Sequence, residues 1–257
     1  MGRRIIVICV IAMALLGALS RPAPADELAQ AGRQIAAKWK NAVVTVQFVL
    51  KMSAGGEGSD TEMKVEATGS VIDPSGLVVV ALSATDPMQA QGPETESSNE
   101  IKDTKIILSD GQEIPAKVSL RDKELDLAFV QPLEKPAKPL DAMDLTKGAK
   151  VELMDQILCL YRLGTVASRS LAGCLDRVQA VIEKPRTFYA PGIQVMIASL
   201  GSPVFAMDGS PAGILTLRST PGGTDTYGSG MSAMGMMYII LPASEILEAS
   251  KQALEAK

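Results

Sequence analysis

Ala198-Ser-Leu-Gly-Ser-Pro-Val-Phe-Ala-Met-Asp-Gly-Ser-Pro-Ala-Gly-Ile-Leu215 is punctuated as a tight β-hairpin. Gly201-Ser202-Pro203 sets a corner, Val204 to Met207 is a short apolar run, and Asp208-Gly209 is a turn dipeptide before a second apolar run that reaches Leu217. Asp-Gly between two apolar runs is a strong hairpin signal, because both residues tolerate the positive φ that a two-residue turn requires.

The same alternation of short apolar runs and turn residues extends in both directions. Upstream, Ala42 to Leu50 reads as a strand, Ser53 to Thr61 as a Gly/Ser loop and Met63 to Ile72 as a second strand. Asp73-Pro-Ser-Gly76 is a turn, with proline and glycine where such turns favour them. Leu77 to Leu82 is a continuous apolar run of the kind found in buried strands. Asp86 to Asp103 is polar and aperiodic, a surface loop. Two strands then flank Asp110-Gly111, and Lys135 to Pro139 is a proline-punctuated crossing. Beyond it, strands are expected near Lys150 to Glu152, Gln156 to Tyr161, Ala172 to Val181, Gln194 to Ile197 and Met237 to Leu241. Helices are expected at Asp26 to Lys40, acidic at its start and basic at its end, and at 243–257.

Composition bounds what such a chain can do. Its 257 residues, 47% of them apolar, suffice for a packed all-β domain. Met1-Gly-Arg-Arg followed by the apolar run Ile5 to Leu19 and the small-residue site Ala23-Pro-Ala25 reads as a secretory signal peptide, residues 1–25, cleaved after Ala25. Export to the periplasm or the cell exterior is implied, with no membrane span after cleavage. Cleavage removes Arg3, Arg4 and Arg21 and no acid, so the net charge falls from −4 to −7. A mildly acidic chain without a basic cluster has no electrostatic footprint for nucleic acid. Cys9 leaves with the signal, and Cys159 and Cys174 remain in an oxidising compartment, either as a disulfide across neighbouring strands or as free buried thiols. The sequence contains no histidine. No metal-ligand constellation and no phosphate-binding loop is present, so no cofactor is implied.

Three short motifs resemble trypsin-like serine proteases, in particular the bacterial HtrA/Deg group. The opening hairpin is similar to that family's Gly-Asn-Ser-Gly-Gly-Pro-Leu-Val; with Pro203 on the family proline, Ala198 and Ser199 fall on Gly-Asn, Leu200 on the nucleophilic serine, and Gly201 and Ser202 on the two glycines. Gly69 to Ala84 resembles the segment that ends on the catalytic histidine, which falls on Ser83. Arg121-Asp-Lys-Glu-Leu-Asp-Leu-Ala-Phe-Val130 resembles the segment of the catalytic aspartate, which falls on Asp126. The resemblance covers roughly residues 30 to 255 and includes no PDZ domain, with which members of the group often continue.

The resemblance implies an all-β fold of two six-stranded antiparallel barrels, the first over about 41–134 and the second over about 140–242, with helices at both ends of a domain spanning 26–257. It also implies a degenerate triad. Serine becomes a nucleophile only when a neighbouring base takes its proton, and here Leu200 offers no nucleophile and Ser83 no base. Ala198 and Leu200 stand where backbone geometry builds the oxyanion hole. Asp126, deprived of imidazole, is expected to accept hydrogen bonds from Ser83 or nearby backbone N–H groups. The expected function is a catalytically inactive binder of polypeptide or a partner protein through the former substrate cleft, with Met231, Met234, Met236 and Met237 as an adaptable apolar surface. Two alternatives stay open: a divergent serine endopeptidase with its nucleophile relocated to Ser199 or Ser202, and a structural subunit whose cleft is filled by Leu200.

Overall fold

A computed structural model of the chain describes residues 24–53, 60–85, 100–192, 195, 200–219 and 236–255. The expected signal segment therefore lies almost wholly outside the described residues, as do Ala198, Ser199, Met231 and Met234. Six strands come from the first half: β1 (Val43–Ser53), β2 (Asp60–Val71), β3 (Val78–Ala81), β4 (Glu100–Ile107), β5 (Glu113–Asp122) and β6 (Leu127–Pro132). Six more follow: β7 (Gln156–Arg162), β8 (Leu171–Ile182), β9 (Phe188–Pro191), β10 (Pro203–Ala206), β11 (Pro211–Ser219) and β12 (Met236–Pro242). Each set closes into an antiparallel barrel, in the orders β1-β2-β3-β6-β5-β4 and β10-β11-β12-β9-β8-β7. Among the described residues, α1 (Pro24–Trp39), the single turn α2 (Leu82–Thr85) and α3 (Ala243–Glu255) accompany them. Two closed six-stranded barrels with terminal helices are consistent with a chymotrypsin-like fold.

Period-two alternation places the side chains. In β1, Val44, Val46, Phe48 and Leu50 point into the first barrel and are fully buried. In β3 and β6 both faces are apolar: Val78, Val80, Ala128 and Val130 line the barrel, whereas Val79, Leu127 and Phe129 join a separate core with Ile214 and Leu241 of the second barrel and Ile246 of α3. The continuous apolar run at Leu77 to Ala81 follows from this double burial, as in any strand covered on two sides. Helix α3 thus covers the seam between the barrels. The interior of the second barrel is built on Ile157, Cys159, Val204, Leu215 and Ile240.

Arg162, at the end of β7, laces the two barrels together. Its Nε donates to the Val43 carbonyl at 2.8 Å and its Nη2 to the Lys40 carbonyl at 2.5 Å, while its backbone N–H donates to Thr68 Oγ1 at 3.1 Å. Helix α1 docks through Ile35 and Trp39.

Two local expectations differ from the structure, a third lies mostly outside the described residues, and one strand is additional. Lys150 to Glu152 forms no strand; Val151 alone is buried there, between exposed neighbours. The strand expected at Gln194 to Ile197 lies mostly outside the described residues, and its one described member, Val195, is not in a strand. The strand between β8 and the hairpin is instead β9, which pairs with β8 and, through Tyr189, with Ile240 of β12. Leu82 does not end a strand but opens α2.

Trp39 stacks on Phe205 with ring centroids 5.7 Å apart, and its indole N–H donates to the Gly209 carbonyl at 2.9 Å. Trp39→Ala is therefore expected to lower unfolding stability by about 3 kcal/mol. The check is urea denaturation followed by far-UV circular dichroism, since Trp39 is the sole tryptophan.

Candidate functional site

Between β5 and β6 the chain makes a tight turn in which Asp122 Oδ1 accepts the N–H groups of Glu124 and Leu125, both at 3.0 Å. Asp126 closes that turn in the left-handed region, φ +56°, a conformation aspartate adopts more readily than most residues. Its buried carboxylate accepts three hydrogen bonds. Ser83 N–H donates to Oδ1 at 2.7 Å, Ser83 Oγ–H to Oδ2 at 2.9 Å and Leu217 N–H to Oδ2 at 2.7 Å. The Asp126 carbonyl also accepts the Leu82 N–H at 2.9 Å. These bonds capture the first amides of α2, which is why the β3 strand stops one residue earlier than its sequence suggests.

Burial pushes the Asp126 carboxyl up to about 6, against the opposing pull of the bonds from Leu217 N–H, Ser83 N–H and Ser83 Oγ–H. At neutral pH it is chiefly ionised and its neighbours supply only donors.

The hairpin corner meets this site from the second barrel. Gly201 sits at φ +88°, and a Cβ there would stand 2.4 Å from the Thr68 carbonyl oxygen and 3.0 Å from the Ala81 amide nitrogen. Its own carbonyl accepts Ser70 Oγ–H at 3.3 Å. Only glycine permits both the conformation and the close approach to β2 and β3. Leu200, half-buried, packs on the second-barrel interior, as do Tyr161, Cys174 and Tyr238. Ser202 is fully buried near the Cys159 thiol, and its carbonyl accepts the Leu215 N–H at 2.9 Å.

Beyond Leu215 the edge of β11 changes partner. On one side β11 pairs with β12 from Gly213 opposite Pro242 through Ser219 opposite Met236. On the other side its pairing with β10 ends at Ile214, and Leu215 exchanges its bonds with Ser202 and Gly201. Alternate residues present their N–H and C=O to the same side, so Leu217 and Ser219 face the side on which Leu217 N–H meets Asp126. Among the described residues no strand pairs with this edge. Leu217 escaped the sequence reading because its role is carried by a backbone amide, 91 positions from its partner.

Of the methionines, Met236 and Met237 are half-buried at the start of β12, opposite Ser219 and Arg218. Cys159 and Cys174 stand directly opposite each other on β7 and β8 as free thiols. An open depression of about 420 Å³, lined by residues including Lys150, Arg177 and Met207, lies at the far end of β10 from Gly201. Among the described residues no group of three or more His, Cys, Asp or Glu side chains is placed to hold a metal, and no helix is long and apolar enough to cross a membrane. No protein-family model and no curated protein matches the chain.

Two outcomes are expected from this geometry. With a folded pKa near 6 and an ordinary value of 3.8, the folded state binds more protons than the unfolded chain between these values. The contribution of Asp126 is thus fully present below about pH 4 and is lost as pH rises through 6, a fall on the order of 3 kcal/mol. Urea denaturation from pH 4 to 7 should show this fall in the native chain relative to Asp126→Asn. Gly201→Ala, which adds strain at positive φ to a backbone clash, should cost about 3 kcal/mol or more in the same measurement.

Proposed function

We propose that this chain is an exported, catalytically inactive relative of the HtrA-type proteases that binds extended polypeptide along the β11 edge. The observation that carries the proposal is that edge. The Leu217 N–H on the side where β10 has ended is taken by Asp126, but the Leu217 carbonyl and the Ser219 main-chain groups face that side, and an added strand needs only such groups for affinity. Met236 and Met237, opposite Ser219 and Arg218 on the adjacent strand, supply apolar surface near the end of the edge. On this reading Ser83, Asp126 and Leu200 are the degenerate triad positions. Ser83 and Asp126 occupy each other's hydrogen-bonding capacity, and Leu200 supplies an aliphatic side chain where a nucleophile would be needed. Ala198 and Leu200 take the oxyanion-hole positions, and export directs the protein to the periplasm or the exterior.

The alternative of a relocated nucleophile is weakened at Ser202, which is fully buried against Cys159; a nucleophile must reach its substrate. The alternative of a structural subunit draws on Leu200, half-buried in the same region.

The test is binding of a denatured, fluorescently labelled protein to the purified chain, with cleavage read by gel in the same tube. Binding without cleavage is expected. Ser219→Pro removes the one N–H that faces the edge at that position while sparing the ladder to β12, and should weaken binding about tenfold or more at unchanged stability. Cleavage that survives repurification would establish an enzyme, and absence of binding would leave the structural subunit.

A further inference from the structure

The hairpin of β7 and β8 is a regular antiparallel ladder from Gln156 opposite Arg177 to Arg162 opposite Leu171, with Cys159 opposite Cys174. Two backbone bonds define its phase. Leu163 N–H donates to the Ser170 carbonyl and Val178 N–H to the Asp155 carbonyl, both at 3.0 Å. Counting by twos from either end places Cys159 and Cys174 among the hydrogen-bonded pairs, whose Cα atoms are about 5.5 Å apart. That separation falls within the range a disulfide accepts. Directly opposed residues project to one face, here the interior of the second barrel: Cys159 is fully buried, whereas Cys174 is half-buried against the same core.

We infer that Cys159 and Cys174 form a reversible redox site, a cross-strand dithiol that exchanges with small-molecule disulfides, with Cys174 attacking first and Cys159 resolving. The two thiols differ in the ways this order requires. Cys174 reaches solvent and is acidified because the Cys159 S–H donates to it, and the thiolate is the reactive form. Cys159 is held well above its usual range by that same hydrogen bond and by burial, so it keeps its proton until Cys174 has reacted.

In the first step the Cys174 thiolate attacks one sulfur of the small disulfide, whose S–S bond breaks and releases one thiolate. Capping Cys174 removes the negative charge that raised Cys159. In the second step Cys159 gives up its proton and its Sγ attacks Cys174 Sγ; the mixed S–S bond breaks and the second small thiolate leaves. Two protein thiols are oxidised, one small disulfide is reduced to two thiols, and the protons pass to the departing thiolates. A disulfide at the margin of a barrel, open to solvent on one sulfur, is of the accessible and therefore labile kind. Its formation also removes the thiol that meets the Ser202 hydroxyl, so the change is felt one residue from Gly201. The inference stands apart from peptide binding.

The experiment equilibrates the purified chain with mixtures of reduced and oxidised glutathione, quenches by alkylation and maps the cysteine peptides by mass, which separates Cys159 and Cys174 from Cys9. The expected result is reversible conversion between the dithiol and a Cys159–Cys174 disulfide. In the native protein under reducing conditions Cys174 should be alkylated about tenfold or more faster than Cys159. Cys159→Ala should accumulate the glutathione adduct on Cys174, and Cys174→Ala should leave Cys159 unmodified; Trp39 fluorescence confirms that each variant is folded. A dithiol that persists in oxidised glutathione, an adduct that Cys159 never resolves, a disulfide that reduced glutathione cannot open without denaturant, or prior reaction at Cys159 would each overturn the inference. All four readouts are made on the native sequence and do not depend on the variants.

Discussion

A carboxylate taken out of water must have its lone pairs met by donors, or its burial costs several kcal/mol. Asp126 meets that demand with donors from both barrels. Ser83 supplies two of them from the first barrel, and Leu217 supplies the third from the second. The two barrels are thereby held at one relative position, because any displacement of β11 from α2 strips the carboxylate of a partner. Gly201 enforces the same alignment sterically, its backbone lying against β2 and β3 where no side chain fits. Apolar packing under α3 then fills the rest of the seam without having to specify its register.

That alignment determines which part of β11 is left, among the described residues, without a neighbouring strand. The strand must run past Leu215 to present the Leu217 amide to Asp126, but β10 is too short to follow it. An edge beside the carboxylate is thus a consequence of how the barrels are locked, and it is framed by β12 on its other side. Strand edges are normally shielded; on the proposed reading this one, beside a polar cluster, gives main-chain recognition set by the geometry of the seam.

Much of this was legible in the sequence, and for local reasons. The turns at Asp73-Pro-Ser-Gly76, Asp110-Gly111 and Asp208-Gly209 fix the backbone by their own chemistry, and the apolar runs between them delimit the strands. The bond between Ser83 and Asp126 was legible because both residues sit in motifs that place them at facing positions. What escaped was set by distant partners. β9 has four residues, ends in proline and earns its strand geometry only by closing the barrel between β8 and β12. Val151 carries the apolar signal of a strand but has no ladder to join, its burial coming from the core beneath it. The amide of Leu217 leaves no trace in a side-chain pattern at all.

On the proposed reading, the loss of the histidine separates two properties that an active enzyme combines. An imidazole between the carboxylate and a nucleophile would accept a proton from one side and be oriented from the other. Ser83 has a shorter reach, and its hydroxyl and amide both turn back onto the carboxylate. The acid and the hydroxyl are turned onto each other, while the carboxylate keeps its hold on Leu217. The element that survives the loss of chemistry is the one that keeps the binding edge in place. Selection for peptide binding alone would therefore retain Asp126 and the glycine corner even with no reaction to catalyse.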